Sequence, residues 1–195
     1  MKIILFSGKA ESGKSTAAKQ LKKFLDKTSI RSAIIPYGHY VKDTASLVFD
    51  WDGKKDKAGR SVLQYVGDIV RAKDPLFWVD TVMRLAEVLD DALDCIIIDD
   101  CRYPNEHTSW LEKGYETMII RVERPGHLNE LTELQRNHSS ETIMDDYSFN
   151  TVLTAMDGEE LNSQVRGLFM HDTYLHNLLG LNNVTGLWAQ IVNEV

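Results

Sequence analysis

Short apolar runs alternate along the chain with longer segments in which apolar residues recur every three or four positions. The short runs predict five strands, at residues 2–6, 32–36, 95–99, 117–123 and 150–155. The periodic segments predict helices at residues 16–27, 39–49, 61–71, 76–93, 104–113 and 159–169. Strands that alternate with helices usually pair in parallel. The pattern therefore predicts an α/β fold with a mostly parallel five-stranded sheet between two layers of helices.

The loop between the first strand and the first helix carries a phosphate-binding pattern. Residues 8–16 fit G-x-x-x-x-G-K-[ST], the P-loop, which predicts the three-layer P-loop NTPase fold. Such a loop aims several backbone N–H groups at one point, and the dipole of the following helix adds to them. We expect a nucleoside triphosphate to be bound by Gly8, Ala10, Glu11, Ser12, Gly13, Lys14, Ser15 and Thr16. Lys14 would reach the β- and γ-phosphates, and the Ser15 hydroxyl would join the shell of Mg²⁺.

An apolar strand that ends in acid is the usual companion of a P-loop. The strand at residues 95–99 ends in Asp99 and is followed by Asp100, so a carboxylate here would hold Mg²⁺ directly or through water. Because side chains alternate along a strand, the two carboxylates are not expected to face the site together. Which of them serves the metal stays open, and an acid in this place also suits a cap on the next loop.

Arg102 follows these acids, at the end of the sheet where α/β proteins bind their ligands. Its guanidinium could grip a phosphate bidentately, or it could pair with Asp100 or Glu106 and shape the turn. Both interpretations are kept, since one arginine can do both.

A further polar group lies on the predicted helix at residues 61–71. Gln64, Asp68 and Arg71 recur at helical spacing and share a face, with Arg60 just before the helix. Gln64 could read a base edge and Arg71 could hold a monophosphate, although the same pattern fits an ordinary solvated helix. Trp78 and its neighbour Phe77 could stack on a base or pack in the core.

Arginines also fall in or beside the polar segment 124–147. Arg121, Arg124 and Arg136 could close over a phosphoryl group as parts of a lid, which would exclude water, or they could be ordinary surface charges. In the same segment, residues 138–141 predict a helix start with serine as the N-cap and Glu141 in the first turn.

Composition narrows the classes of function. The chain has 195 residues, 43% of them hydrophobic, and a net charge of −7, which argues against a general binder of nucleic acid or membrane surfaces. Its two cysteines, Cys95 and Cys101, lack metal-ligand spacing and indicate reduced thiols. We expect a cytoplasmic protein, monomer or homodimer, whose partners are small-molecule nucleotides, with no nucleic acid and no membrane.

Several blocks together resemble a known family. The blocks are residues 8–16, 63–67 with Arg71, 74–79, 98–106, 121–126 and 138–141. Their order and content are similar to the phage-type deoxynucleoside monophosphate kinases, relatives of adenylate kinase. The most specific blocks are Asp100-Cys101-Arg102-Tyr103-Pro104-Asn105-Glu106, then Arg-Pro-Gly at residues 124–126 and His-Ser-Ser-Glu at residues 138–141. The chain departs from the family pattern at residues 37–42, at residues 154–158 and in the tail after Phe169.

The resemblance implies a division of labour. ATP would bind the P-loop with Mg²⁺, held by Ser15 and by Asp99 or Asp100. The monophosphate would bind near Arg60, Gln64, Arg71 and Trp78. Lys14, Asp100, Arg102 and Arg124 would form the reaction centre. The chain would be one domain, 1–195, with a monophosphate-binding excursion at about 37–93, a lid at about 124–148 and extra helices at 171–195.

Three functions fit the sequence. The first is transfer of the γ-phosphoryl group of ATP to a nucleoside or deoxynucleoside monophosphate. The second is a kinase of a non-nucleotide metabolite, similar to phosphomevalonate kinase. The third is a nucleotide-responsive binding module without kinase activity. The several arginines within reach of phosphate favour an enzyme. Separately, the apolar face of the tail suits packing within the chain or a dimer contact.

Overall fold

The structure, a computed structural model, describes residues 1–127 and 129–181. Five strands form one sheet: β1 (Lys2–Ser7), β2 (Ser32–Ile34), β3 (Cys95–Cys101), β4 (Glu116–Glu123) and β5 (Thr151–Thr154). Their order is β2-β3-β1-β4-β5, and every neighbouring pair is parallel. This confirms the predicted α/β fold.

Helices connect the strands. They are α1 (Lys14–Leu25), α2 (Gly38–Phe49), α3 (Lys57–Lys73), α4 (Phe77–Val88), α5 (Asn105–Glu112), α6 (Glu133–Arg136), α7 (Ser139–Thr142), α8 (Gly158–His171) and α9 (Thr173–Leu179). Alternation along β1 divides the core into two layers. Ile4 and Phe6 join the cluster that includes α1 and α8, whereas Ile3 and Leu5 join the cluster that includes α4 and Trp110 of α5. The sheet is therefore covered on both faces, as a parallel sheet requires.

A third, smaller core holds the predicted excursion together. It is formed by Val41 and Ala45 of α2, Val66 of α3 and Trp78 of α4. These three helices occupy most of residues 37–93. They place α2 and α3 beside the carboxyl end of the sheet, where the P-loop also lies.

Element boundaries differ from prediction where capping decides them. Helix α3 begins at Lys57 because the Asp56 side chain accepts a hydrogen bond from Gly59 N, so the helix begins before the predicted start at residue 61. At α7 the predicted serine cap is wrong. His138 is the N-cap residue, and its Nδ1 accepts from Ser140 N.

The tail is described as far as Leu181. Leu175 and Leu178 of α9 pack in the same core as Phe169. The apolar residues Leu187, Trp188 and Ile191, which the sequence assigns to a further helix, lie outside the described residues. Within those residues, no helix has both the length and the apolar composition to cross a membrane.

Candidate active site

The P-loop joins β1 to α1 through a backbone that only glycine suits at two points. Gly8 has φ +144° and Gly13 has φ +102°. A Cβ on Gly8 would lie 2.3 Å from the carbonyl oxygen of Val122 on β4. The loop is therefore pressed against the neighbouring strand, which fixes where its N–H groups point. Glu11 also adopts a positive φ, 62°, which is uncommon for a residue other than glycine.

Lys14 folds back onto the same loop. Its ammonium group donates to Gly8 O at 2.7 Å and to Lys9 O at 2.6 Å. Burial is the main reason that the pKa of Lys14 lies well below its ordinary value, and the charge of Arg102 lowers it further. An ammonium held at this point by carbonyl groups is poised to bind an anion, because an anion would compensate its lost hydration.

The carboxyl end of β3 contains a bulge. Leu5 pairs with Ile98 and Ser7 pairs with Cys101, so Asp99 and Asp100 lie opposite the single residue Phe6. Strict alternation is lost at such a bulge, and both acids line the same cavity. The expectation that only one of them faces the site is wrong for this reason.

The two acids nevertheless differ in what they contact. Asp100 accepts from Tyr37 N at 2.9 Å through Oδ1 and from Gly38 N at 2.7 Å through Oδ2. It thereby ties the start of α2 to the end of β3. Burial and the neighbouring charge of Asp99 raise the pKa of Asp100. A Cβ on Gly38 would lie 2.7 Å from Asp100 Oδ2, which explains the glycine at this position.

The residues available to Mg²⁺ are Ser15 and Asp99, which both line the cavity. Hydroxyl and carboxylate oxygens are the ligands that Mg²⁺ prefers, and this ion is usually bound by one or two carboxylates together with substrate phosphates and water. Among residues 1–127 and 129–181, no group of three His, Cys, Asp or Glu side chains could hold a metal ion by itself. The donor set therefore fits a metal that arrives with a nucleotide.

Arg102 meets a carboxylate that was not among the predicted site residues. Its Nη1 donates to Glu141 Oε1 at 2.7 Å, and the other oxygen, Oε2, accepts from the P-loop amide Ala10 N at 2.7 Å. The charges of Glu141 and Arg102 both act on Lys14. A buried carboxylate thus lies where a loop amide, a guanidinium and an ammonium converge. The signals for it in the sequence were the helix-start pattern and the resemblance block at residues 138–141.

Arg71 is held by a different carboxylate. Its Nη2 lies 3.2 Å from Glu106 Oε1, and its guanidinium carbon lies 4.1 Å from the centroid of the Tyr103 ring. Glu106 Oε2 accepts from Arg102 N and Tyr103 N at 2.6 and 3.1 Å. Glu106 is 2% exposed, and burial raises its pKa to about 6 despite Arg71. The sequence analysis allowed an ion pair between Arg102 and Glu106. In the structure these two residues are in contact through the backbone N–H of Arg102.

Glu11 links the P-loop to helix α3 and to the segment between β4 and β5. Its Oε1 accepts from Arg60 Nη2 at 2.6 Å, and its Oε2 lies 3.2 Å from His127 Nε2. Arg60 Nε also donates to Lys55 O at 2.9 Å. The Arg60 guanidinium therefore has one carboxylate partner in place before any substrate binds.

The segment between β4 and β5, predicted as the lid, rests on both sides of the cavity. Gln135 Nε2 donates to Ser61 Oγ at 3.1 Å, and His138 Nε2 lies 2.7 Å from Asp68 Oδ2 on the same helix, α3. Gln64 Nε2 contacts this segment more weakly, at 3.5 Å from Gln135 O.

The three arginines proposed for the lid separate. Arg124 lines the cavity and donates through Nε to Met156 O at 3.1 Å. Arg121 is buried, and its Nη2 donates to Asp145 Oδ1 at 2.8 Å, so it anchors the segment to β4. Arg136 is exposed and does not belong to the cavity lining.

One cavity of about 710 Å³ brings most of the predicted residues together. Its lining includes Ala10, Glu11, Gly13, Lys14, Ser15, Thr16, Arg60, Gln64, Arg71, Asp99, Asp100, Arg102 and Arg124. Gly8 and Ser12 belong to the loop but not to the cavity lining. Trp78 does not line the cavity. It is 2% exposed, packs in the third core and donates through Nε1 to Gly67 O at 3.4 Å. Its assignment to the substrate is thus replaced by a role in the core.

The parallel sheet and the glycine loop between β1 and α1 define an α/β P-loop fold. No protein-family model and no curated protein matches the sequence. Among solved structures, the chain is similar to the Mycobacterium tuberculosis APS kinase CysC in complex with AMPPNP and APS. The identity is 14%, the TM-score is 0.49, and the match covers 92% of this chain and 97% of that one. A cysteine-to-alanine mutant of the same kinase gives 15% identity and a TM-score of 0.43, covering 86% and 96%. Similarities at this level do not identify a substrate.

Proposed function

We propose that this protein transfers the γ-phosphoryl group of ATP to a nucleoside or deoxynucleoside monophosphate. The observation that carries the proposal is the single cavity, because P-loop residues and the polar face of α3 line the same space. A binding module for one nucleotide needs only the P-loop residues. A cavity of this size with phosphate-binding groups at two places suits two substrates that meet.

Support on the donor side comes from Glu141. Its carboxylate accepts from Ala10 N and from Arg102, close to the Lys14 ammonium. These donors already bind one oxyanion in the protein without ligand. A phosphate oxygen has the same hydrogen-bonding needs, and the donors would favour it more strongly because it carries more charge.

Support on the acceptor side comes from charge. The chain has a net charge of −7, yet seven residues of the cavity lining are lysine or arginine and five are aspartate or glutamate. The cavity therefore carries an excess of positive side chains although the protein as a whole is acidic. In phosphoryl transfer the negative charge of two phosphate groups must be neutralised as they approach, and positioned cations do this without rearranging.

Ser15 and Asp99 are the residues that would hold Mg²⁺, which when bound would supply positive charge against the phosphate oxygens. The chain's own residues would do the rest. Lys14 and the loop amides would orient the triphosphate, Arg102 and Arg124 would meet the transferred group, and the segment over the cavity would exclude water.

The test supplies ATP, Mg²⁺ and each common nucleoside and deoxynucleoside monophosphate in turn, and measures diphosphate product by chromatography. We expect product with at least one acceptor. The Lys14→Met protein, purified in the same way, should form product roughly 10³-fold more slowly and so controls for contaminating kinases. Absence of turnover with every monophosphate, from protein that binds ATP, would contradict the proposal. A product formed only with a phosphorylated metabolite that is not a nucleotide would replace it with the second function.

A further inference from the structure

Two lysines in the cavity differ from its other cations. Arg60, Arg71 and Arg102 each contact a carboxylate, and Lys14 donates to two carbonyl groups. Lys42 on α2 and Lys55 in the loop before α3 line the same cavity. In the part of the chain that the structure describes, the ammonium group of neither lysine has a hydrogen bond or an ion pair.

Both lysines line the cavity whose lining also includes Asp99 and Asp100. The charge of Lys42 acts on both Lys55 and Asp100, and Asp99, Asp100 and Arg60 also act on Lys55. Partial burial, Lys42 and Arg60 lower the pKa of Lys55. Like charges that are close together without an anion repel, so this pair gains most when an anion binds between them.

The existing ion pairs of the cavity indicate which of its cations can bind an added anion at the least cost. An anion at Arg71 or Arg60 would approach Glu106 or Glu11, each of which already neutralises its arginine. Pulling Arg71 away would leave a carboxylate that is 2% exposed with one hydrogen-bond partner fewer, which is costly. Asp99 and Asp100 also affect Lys55, but within the described residues neither forms a hydrogen bond or ion pair with it, and Asp100 accepts from Tyr37 N and Gly38 N instead. Lys42 and Lys55 can therefore bind a phosphate group without leaving a carboxylate partner.

We propose that Lys42 and Lys55 bind the phosphate group of the acceptor, at the end of β3 beside Asp99 and Asp100. This rests on the proposed function and changes one part of it. The accepting phosphate is moved from Arg71, where the resemblance implies it, to the lysine pair. Arg71, stacked on Tyr103 and held by Glu106, becomes part of the wall that faces the rest of the acceptor.

The experiment uses the full chain as wild type and with Lys42→Gln, Lys55→Gln, both together, and Arg71→Gln. Lys54→Gln is the matched control, because Lys54 is adjacent in sequence but lies outside the cavity lining and pairs with Asp52 at 2.9 Å. The first readout is the KM for the monophosphate acceptor. We expect it to rise about tenfold for each lysine and about a hundredfold for the pair, the scale of charged hydrogen bonds. The KM for ATP and the Lys54→Gln protein should stay as in wild type.

The second readout does not depend on turnover. Inorganic phosphate is titrated by calorimetry into protein saturated with AMPPNP, which fills the P-loop. Loss of phosphate affinity in the lysine variants, with AMPPNP affinity kept, supports the subsite. The proposal is overturned if the double variant keeps the acceptor KM and the phosphate affinity of wild type. In that case Arg71→Gln should raise the KM and weaken phosphate binding instead. If wild type phosphorylates no monophosphate yet binds phosphate in a lysine-dependent way, the proposed function fails and the subsite stands.

Discussion

The two sides of the cavity are built in different ways. The donor side is made from consecutive residues, and its binding groups are backbone amides between a buried strand and a helix. The acceptor side is assembled from side chains of α2, α3, the end of β3 and the segment over the cavity. Before the P-loop, residues 3–7 of β1 are buried, whereas the end of α2 exposes Leu47 and Val48 by 84% and 66%. A local motif in a rigid core fixes the first side, and ion pairs between distant segments fix the second.

The largest effect should come from the donor side. Lys14→Met should lower kcat by roughly 10³-fold, since it removes a positioned cation from the developing charge of the transferred group. Its stability should change little, because burial already disfavours the ammonium. Steady-state kinetics and urea unfolding check this, with Lys19→Met as control on the exposed side of α1. Equal rates in the two variants would show that the loop does not serve catalysis.

Substitution of two arginines near the cavity should affect different properties, mainly the rate for Arg102 and the stability for Arg121. Arg102→Gln should lower kcat by roughly 10²-fold, because its guanidinium faces the site. It should cost less stability than Arg121→Gln, because the Glu141 carboxylate that Arg102 contacts keeps its hydrogen bond to Ala10 N. Arg121→Gln should cost about 1–3 kcal/mol of stability with kcat little changed, since it removes the hydrogen bonds of a buried guanidinium to Met144 O and Asp145 Oδ1. Kinetics and unfolding of both variants provide the comparison. A loss of rate in Arg121→Gln at unchanged stability would place that arginine in the lid after all.

The same contrast explains what the sequence can predict. The sheet, its helices and the P-loop follow from local periodicity and from an eight-residue pattern. The joint exposure of Asp99 and Asp100 depends on a bulge that arises only when β3 pairs with β1. Trp78 packs inward because three helices meet around it, and Glu141 reaches Ala10 N across 131 positions of sequence. Contacts of this kind have no local signature, so the acceptor side could not be derived from the pattern alone.

The buried carboxyl of Glu106 should make the acceptor side sensitive to pH. Its pKa is about 6 in the folded protein against an ordinary 4.5. Between these values the native state holds more protons than the unfolded state, so stability falls as pH rises through this window. From pH 4 to pH 7, wild type should therefore lose about 2 kcal/mol of unfolding free energy relative to Glu106→Gln. Urea titrations of both proteins at the two pH values measure this, and parallel pH profiles would contradict it.

The smallest effect should appear at Glu141. Glu141→Gln removes a negative charge beside the P-loop, so ATP should bind more tightly, by roughly three- to tenfold in the absence of acceptor. Calorimetry with ATP measures this, and Glu133→Gln, an exposed residue of α6, serves as control. Weaker ATP binding would mean that Glu141 orders the loop for the nucleotide and is not an occupant that the phosphate replaces.

The most direct test of two nucleotides meeting in one cavity uses an analogue in which two nucleosides are joined through a chain of phosphates. Calorimetry should show one analogue bound per chain, at least about tenfold more tightly than ATP, because the second half binds at high effective concentration. Affinity equal to that of ATP, with a free monophosphate still able to bind alongside, would contradict the account.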